Sequence, residues 1–281
     1  MNVRADPTIE LPAVAAELTY LGQMSEKPRN YTYDPPPGVP RSNVVADTHI
    51  VQIRDARPIA PSLSLDREGF DLVREASKVG NFYDDDEVLS VYYPEAERLV
   101  RQATGANRVF VFDHTVRRRV PGAEDRRDGV SRQPVARVHV DHTEASGPQR
   151  VRDLLPDEAD KLLTGRLQII NLWRPIRGPL RDAPLAVCDA RSVAARDLVA
   201  SDLVYPNRTG ETYAVRHNAA HRWFYVPAME TDEALLLKCY DSRTDGRARF
   251  APHSAFTDPT TPPDAAPRES IEIRTLVFHA G

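Results

Sequence analysis

His139, Val140 and Asp141 form a His-x-Asp triplet inside the run Arg137-Val138-His139-Val140-Asp141-His142-Thr143. On a strand, residues two apart project from the same face, so His139 and Asp141 can reach one metal ion from one side. His253, in Phe250-Ala251-Pro252-His253-Ser254, supplies a third donor from far downstream. Two imidazoles and one carboxylate with open positions make the facial arrangement that suits non-haem Fe(II) and O2. Zinc accepts similar donors, so residue type alone leaves the metal open. A His-x-Asp triplet arises readily by chance. Its weight here comes from lying in a strand early in a β series, with His253 near the end of that series.

Arg268 and Arg274 both follow His253. Arg274 sits in Ile271-Glu272-Ile273-Arg274-Thr275-Leu276-Val277, with Ile271 and Ile273 on the opposite face. A mid-strand guanidinium is costly unless an anion answers it. A bidentate Arg suits the distal carboxylate of 2-oxoglutarate. Arg274 ranks ahead of Arg268 for that role; the competing account is an outward Arg paired with Glu269 or Glu272.

Asn171, Trp173 and Arg174 share another strand and, with His114, are candidate substrate residues; Arg174 holds either an acidic substrate or the co-substrate, or forms a buried ion pair. His114 either lines a cavity mouth or caps a turn. His142 reads as a satisfied histidine on the face opposite His139. His217, Asn218, His221 and Arg222 read as a turn network in preference to a second metal site. Trp223, Phe224 and Tyr225 read as core. The Arg-rich segment 117–132 is either a solvated loop or a lid over the metal strand.

The elements that must carry these residues come from periodicity. Residues 1–47, with Pro35-Pro36-Pro37-Gly38-Val39-Pro40, read as an extended N-terminal arm. Residues 48–105 read as a helical flank: a short strand over 49–54, helices over 66–78 and 85–103, and a stop at Gly105. Residues 106–281 read as a β-barrel core. Its eight β-like runs are 108–117, 135–143, 166–176, 185–190, 211–217, 223–227, 234–240 and 270–279, with one helix over 156–163. The expectation is a mainly β fold with flanking helices, a double-stranded β-helix (jelly-roll, cupin-like) barrel, in one domain spanning 1–281.

Composition bounds the rest. The net charge of -4 and pI near 6.1 argue against nucleic acid as partner. Two unpaired-looking cysteines, Cys188 and Cys239, argue against a disulfide framework and for a reducing, cytoplasmic setting. Neither a signal peptide nor a membrane span is expected.

Several segments together resemble a known family. They are Tyr31-Thr32-Tyr33-Asp34-Pro35-Pro36, Phe112-Asp113-His114-Thr115-Val116-Arg117, Val138-His139-Val140-Asp141-His142-Thr143, Asn171-Leu172-Trp173-Arg174-Pro175-Ile176, His221-Arg222-Trp223-Phe224-Tyr225-Val226-Pro227-Ala228-Met229, Lys238-Cys239-Tyr240-Asp241-Ser242 and Pro252-His253-Ser254-Ala255-Phe256. Over about residues 18–278 the chain resembles the CmcJ/AsaB/gibberellin desaturase-like family of Fe(II)/2-oxoglutarate-dependent oxygenases. The resemblance implies His139, Asp141 and His253 as iron ligands, and Fe(II), 2-oxoglutarate and O2 as cofactors. Arg274 or Arg268 would bind 2-oxoglutarate, and a small natural-product or amino-acid-derived substrate would be hydroxylated or desaturated. Related halogenases replace the carboxylate ligand with a small residue; Asp141 is present here, which favours hydroxylation or desaturation. A non-catalytic partner of another biosynthetic enzyme, or a 2-oxoglutarate-independent metal enzyme on the same barrel, are the rival readings.

Overall fold

The computed structural model describes residues 10–123, 125 and 131–280. Four strands come first: β1 (Ala13–Leu21), β2 (Arg29–Tyr31), β3 (Ala46–Asp55) and β4 (Phe70–Arg74). Helix α1 (Asp85–Glu87) continues through a π-helical turn into α2 (Tyr93–Thr104). Then follow β5 (Arg108–Arg118), β6 (His139–Val140), α3 (Ser146–Leu154), α4 (Ala159–Leu162), β7 (Leu167–Pro175), β8 (Leu185–Cys188), β9 (Leu198–Val204), β10 (Thr209–Val215), β11 (Trp223–Tyr225), β12 (Glu233–Asp241), β13 (His253–Ala255) and β14 (Glu269–Phe278).

The strands form a nine-stranded sheet, ordered β1-β3-β11-β8-β13-β6-β10-β9-β2, and a five-stranded sheet, ordered β4-β12-β7-β14-β5. This is the double-stranded β-helix, cupin-like barrel expected from the sequence. Alternation on the five-stranded sheet sorts its two faces. Ile271, Ile273 and Val277 of β14 join Ile170 and Leu172 of β7 against the buried Tyr92, Ala96, Leu99 and Val100 of the helical segment. The opposite face turns Asn171, Trp173, Glu272 and Arg274 inward. The helix ends at Gly105, whose φ of 66° is the left-handed cap that glycine adopts without steric cost.

Several elements differ from the sequence reading. The arm over 1–47 contains β1, which pairs with β3 along its whole length. Its Ala16, Leu18 and Tyr20 alternate into the core, a period-two signal diluted by Ala and Glu neighbours. The helix expected over 66–78 is the edge strand β4 on β12. Gly69, with φ of 86°, cannot continue a helix, and a turn at 64–69 feeds the strand instead. The run 135–143 narrows to the two-residue β6, and the helix over 156–163 to α4. Both cysteines are buried and free. No helix of the described residues is long and apolar enough to cross a membrane.

Candidate functional site

β6 lies between two strands that hold its first residue. His139 is in register with Ala214 of β10 on one side and with His253 of β13 on the other. The two imidazoles therefore sit side by side, ring centroids 4.4 Å apart. Asp141 follows at i+2, and donor atoms of His139, Asp141 and His253 all lie within 4.8 Å of one another.

Each imidazole is fixed through its Nδ1, which faces the carbonyl two residues earlier: Arg137 O at 2.7 Å for His139 and Ala251 O at 3.1 Å for His253. A protonated Nδ1 donating there leaves Nε2 as the lone-pair donor, the orientation a metal-binding histidine needs. His139 Nε2 lies 3.4 Å from Asp141 Oδ1. Burial, reinforced by His139, holds His253 below the usual imidazole value and so favours its neutral form. Burial opposes ionisation of Asp141, but Arg274 and then His139 outweigh it and hold the carboxyl well below its usual range.

The other oxygen of Asp141 is fully engaged. Its Oδ2 accepts from Asn171 Nδ2 at 2.8 Å and from Arg274 Nε at 3.1 Å. Glu272 accepts from the same two donors, Asn171 Nδ2 at 2.8 Å and Arg274 Nη2 at 2.9 Å. Oδ1 alone is left to face the imidazoles. Arg274 further donates to Asp113 Oδ2 at 3.1 Å and Thr115 Oγ at 3.0 Å.

A β-bulge makes this possible. Arg274 pairs with Asp113 and Thr275 with Val111, so Phe112 is the extra residue of β5. The bulge shifts the alternation, so that Phe112 and Asp113 both line the cavity and Thr115 and Arg117 follow on the inner side.

Arg268 is buried elsewhere, immediately before β14. Its Nε donates to Ser270 Oγ at 3.0 Å, its Nη1 to Ala183 O at 2.9 Å, and its guanidinium lies 4.9 Å over the Trp173 ring. None of these guanidinium partners is a carboxylate. Burial, then the Arg117 charge, push it down to about 9. Trp173 Nε1 and Asn171 Oδ1 are buried with no hydrogen-bond partner among the described residues.

The cavity over the donor set holds about 1090 Å³. His114 lines its rim and bonds Tyr93 Oη at 3.0 Å, with Asp85 Oδ1 at 3.4 Å. His142 is buried, lines the cavity and is held near 4, chiefly by burial. Arg174 does not reach the site. It projects from the outer face, with Nη1 on Glu75 O at 3.0 Å and its guanidinium 5.2 Å over Tyr92. His221 and Asn218 bond the Asp197 carboxylate, as a turn network does, while His217 stacks on His49 at 3.6 Å. Trp223, Phe224 and Tyr225 are core. Of the segment 117–132, Arg117, Asp125 and Arg132 line the cavity; the rest of the lid question falls on 124 and 126–130, outside the described residues. Sequence reasoning offered Glu272 only as an outward partner of Arg274 and missed its place inside the site, although a carboxylate alternating with Ile271 and Ile273 on a strand was a visible sign of a polar inner stripe.

A family model described as an oxidoreductase/YMDC permease-like domain matches residues 18–278. The hydroxylase/desaturase efuI of Hormonema carpetanum is 38% identical over 252 residues, covering 83% of this chain and 84% of that protein. The Fe(II)/2-oxoglutarate-dependent dioxygenase nvfI of Aspergillus novofumigatus is 34% identical over 255 residues, covering 88% and 90%. A solved structure of the iron and alpha-ketoglutarate-dependent endoperoxidase NvfI superposes with a TM-score of 0.86 at 31% identity, covering 96% of this chain and 99% of that one.

Proposed function

The chain belongs to the oxidoreductase family that holds these Fe(II)/2-oxoglutarate-dependent hydroxylases, desaturases and dioxygenases, and from that premise we propose that His139, Asp141 and His253 hold its iron. The observation that carries the reading is the donor set itself: two imidazoles presenting Nε2, and one carboxylate oxygen freed by the pinning of the other. Two nitrogens and one oxygen on one face fit Fe(II) and leave positions for other ligands.

Arg268 is assigned to the distal carboxylate of 2-oxoglutarate, reversing the order read from the sequence. Arg274 is already answered by Asp141, Glu272 and Asp113. Among the described residues the buried Arg268 guanidinium bonds only neutral acceptors, and it stacks on Trp173, whose indole N–H has no partner there. A buried guanidinium in that state awaits an anion. Ser270 holds its Nε edge in place.

When bound, iron and 2-oxoglutarate supply O2 activation and cleavage of an unactivated C–H bond. The chain's part is to favour the neutral form of His253, to hold the Nδ1 of both histidines on backbone carbonyls, to fix Asp141 through Asn171 and Arg274, and to enclose the reacting atoms in a cavity too large for the co-substrate alone. A small organic substrate, hydroxylated or desaturated, fits that space. The intact donor set speaks against a purely non-catalytic partner role.

The test is anaerobic titration of Fe(II)-loaded protein with 2-oxoglutarate, following the visible charge-transfer band of the chelate. Wild type should develop the band and His139→Ala should not. Arg268→Gln should weaken 2-oxoglutarate binding by about 3 kcal/mol, roughly a hundredfold. No band in wild type with iron confirmed bound would move the assignment to a 2-oxoglutarate-independent metal enzyme.

A further inference from the structure

Two guanidiniums in the cavity have roles that neither iron nor 2-oxoglutarate explains. Arg150, on α3, is half-buried and lies 5.5 Å over the Phe112 ring. Arg208, in the turn between β9 and β10, is exposed and stacks 4.2 Å over Tyr205. All four residues line the same cavity. Among the described residues neither guanidinium bonds a carboxylate, and Arg150 Nε is buried without any partner.

Asp153 and Asp113 act on Arg150 from nearby but hydrogen-bond other groups. Asp153 takes the Gln149 amide at 2.7 Å and Asp113 takes Arg274 at 3.1 Å. The two cations also feel each other: burial first, then the charge of Arg208, push Arg150 below its ordinary value. Holding two like charges together with no carboxylate bonded to either guanidinium is unfavourable. Aromatic faces orient a guanidinium while leaving its N–H edge free. Two such edges at the solvent side of a ligand cavity match the oxygens of a carboxylate or phosphate.

We propose that Arg150 and Arg208 form an oxyanion subsite at the cavity mouth, so that the substrate is a small organic molecule bearing a carboxylate or phosphate group. The proposal rests on the oxygenase reading for the word substrate, but the anion site itself is independent of iron. It is also separate from Arg268, which serves the co-substrate.

The test is equilibrium dialysis of the full chain with 1-naphthoate, 1-naphthyl phosphate and the neutral 1-naphthamide. It is run on metal-free protein and again with Fe(II) and 2-oxoglutarate under nitrogen. At least one anion should bind tenfold or more tightly than the amide, and the preferred anion distinguishes carboxylate from phosphate. Arg150→Gln and Arg208→Gln should each weaken the anion at least tenfold. Arg196→Gln, an exposed charge outside the cavity, should not. Melting curves check folding, and the exposed Arg208 tolerates substitution even if Arg150 does not. Equal binding of amide and anion, no anion binding by wild type, or anion binding unchanged in folded Arg150→Gln and Arg208→Gln overturns the proposal. Anion preference retained without the charge-transfer band sinks the oxygenase reading and leaves the subsite standing; the band without anion preference does the reverse.

Discussion

At the scale of single residues, Asp141, the proposed carboxylate ligand, is held by atoms outside the donor set. Asn171 and Arg274 both donate to its Oδ2, and Glu272 accepts from both donors. Glu272 thus shares the Arg274 charge that would otherwise fall wholly on Asp141 and reduce its strength as a ligand. Glu272→Gln removes that share while keeping the shape and an acceptor for Asn171. Iron affinity should fall about 10- to 100-fold, the usual cost of losing an outer partner. Asn171→Ala should fall in the same range by freeing Oδ2 to rotate. Dialysis against Fe(II) with a competing chelator measures both; affinity equal to wild type in Glu272→Gln would make the Glu272 contacts structural only.

At the scale of elements, local irregularities aim the site. The bulge at Phe112 turns Asp113, Thr115 and Arg117 inward, and the turn before β4 rests on Gly69. A Cβ on Gly69 would meet the Cβ atoms of Ala190 and Ala251 at 3.1 Å, on a backbone already at φ of 86°. Gly246 has a φ of 96° with nothing within 4 Å of its would-be Cβ. Gly246→Ala should therefore cost only backbone strain, about 1–2 kcal/mol, and Gly69→Ala should cost measurably more by urea unfolding. Equal losses would mean the neighbours of Gly69 yield freely. Such features explain what the sequence made legible. The candidate metal donors were readable because a triplet on a strand needs only period two, and β14 was readable because its polar and apolar residues alternate cleanly. β1 was hidden by alanines of weak contrast, and β4 by apolar spacing that fits a helix until Gly69 is known to be left-handed. The proposed preference for Arg268 over Arg274 depends on which one the fold surrounds with carboxylates, which no local pattern records.

At the scale of the molecule, a buried charge network ties the five-stranded sheet to the turn ahead of β4. Lys238 on β12 is 0% exposed and donates to Asp241 Oδ2 at 2.8 Å and to Asp66. Arg166, just before β7, bonds the same two carboxylates. Lys238→Met removes one cation and leaves Asp241 buried with less compensation, a loss of about 3–5 kcal/mol. Its pH dependence follows from the carboxylates. Burial raises Asp66, but Lys238 and Arg166 overcome it and hold Asp66 down to about 2; Asp241 is lowered in the same way. Groups depressed in the folded state stabilise it fully above their unfolded value near 4, and that stability is lost as pH falls through the folded value. Wild type should therefore lose its advantage over Lys238→Met as pH drops from about 4 towards 2. Urea midpoints for both proteins across that window decide it. A gap that stays constant would show that Lys238 contributes through packing of its stem in the sheet and not through its charge.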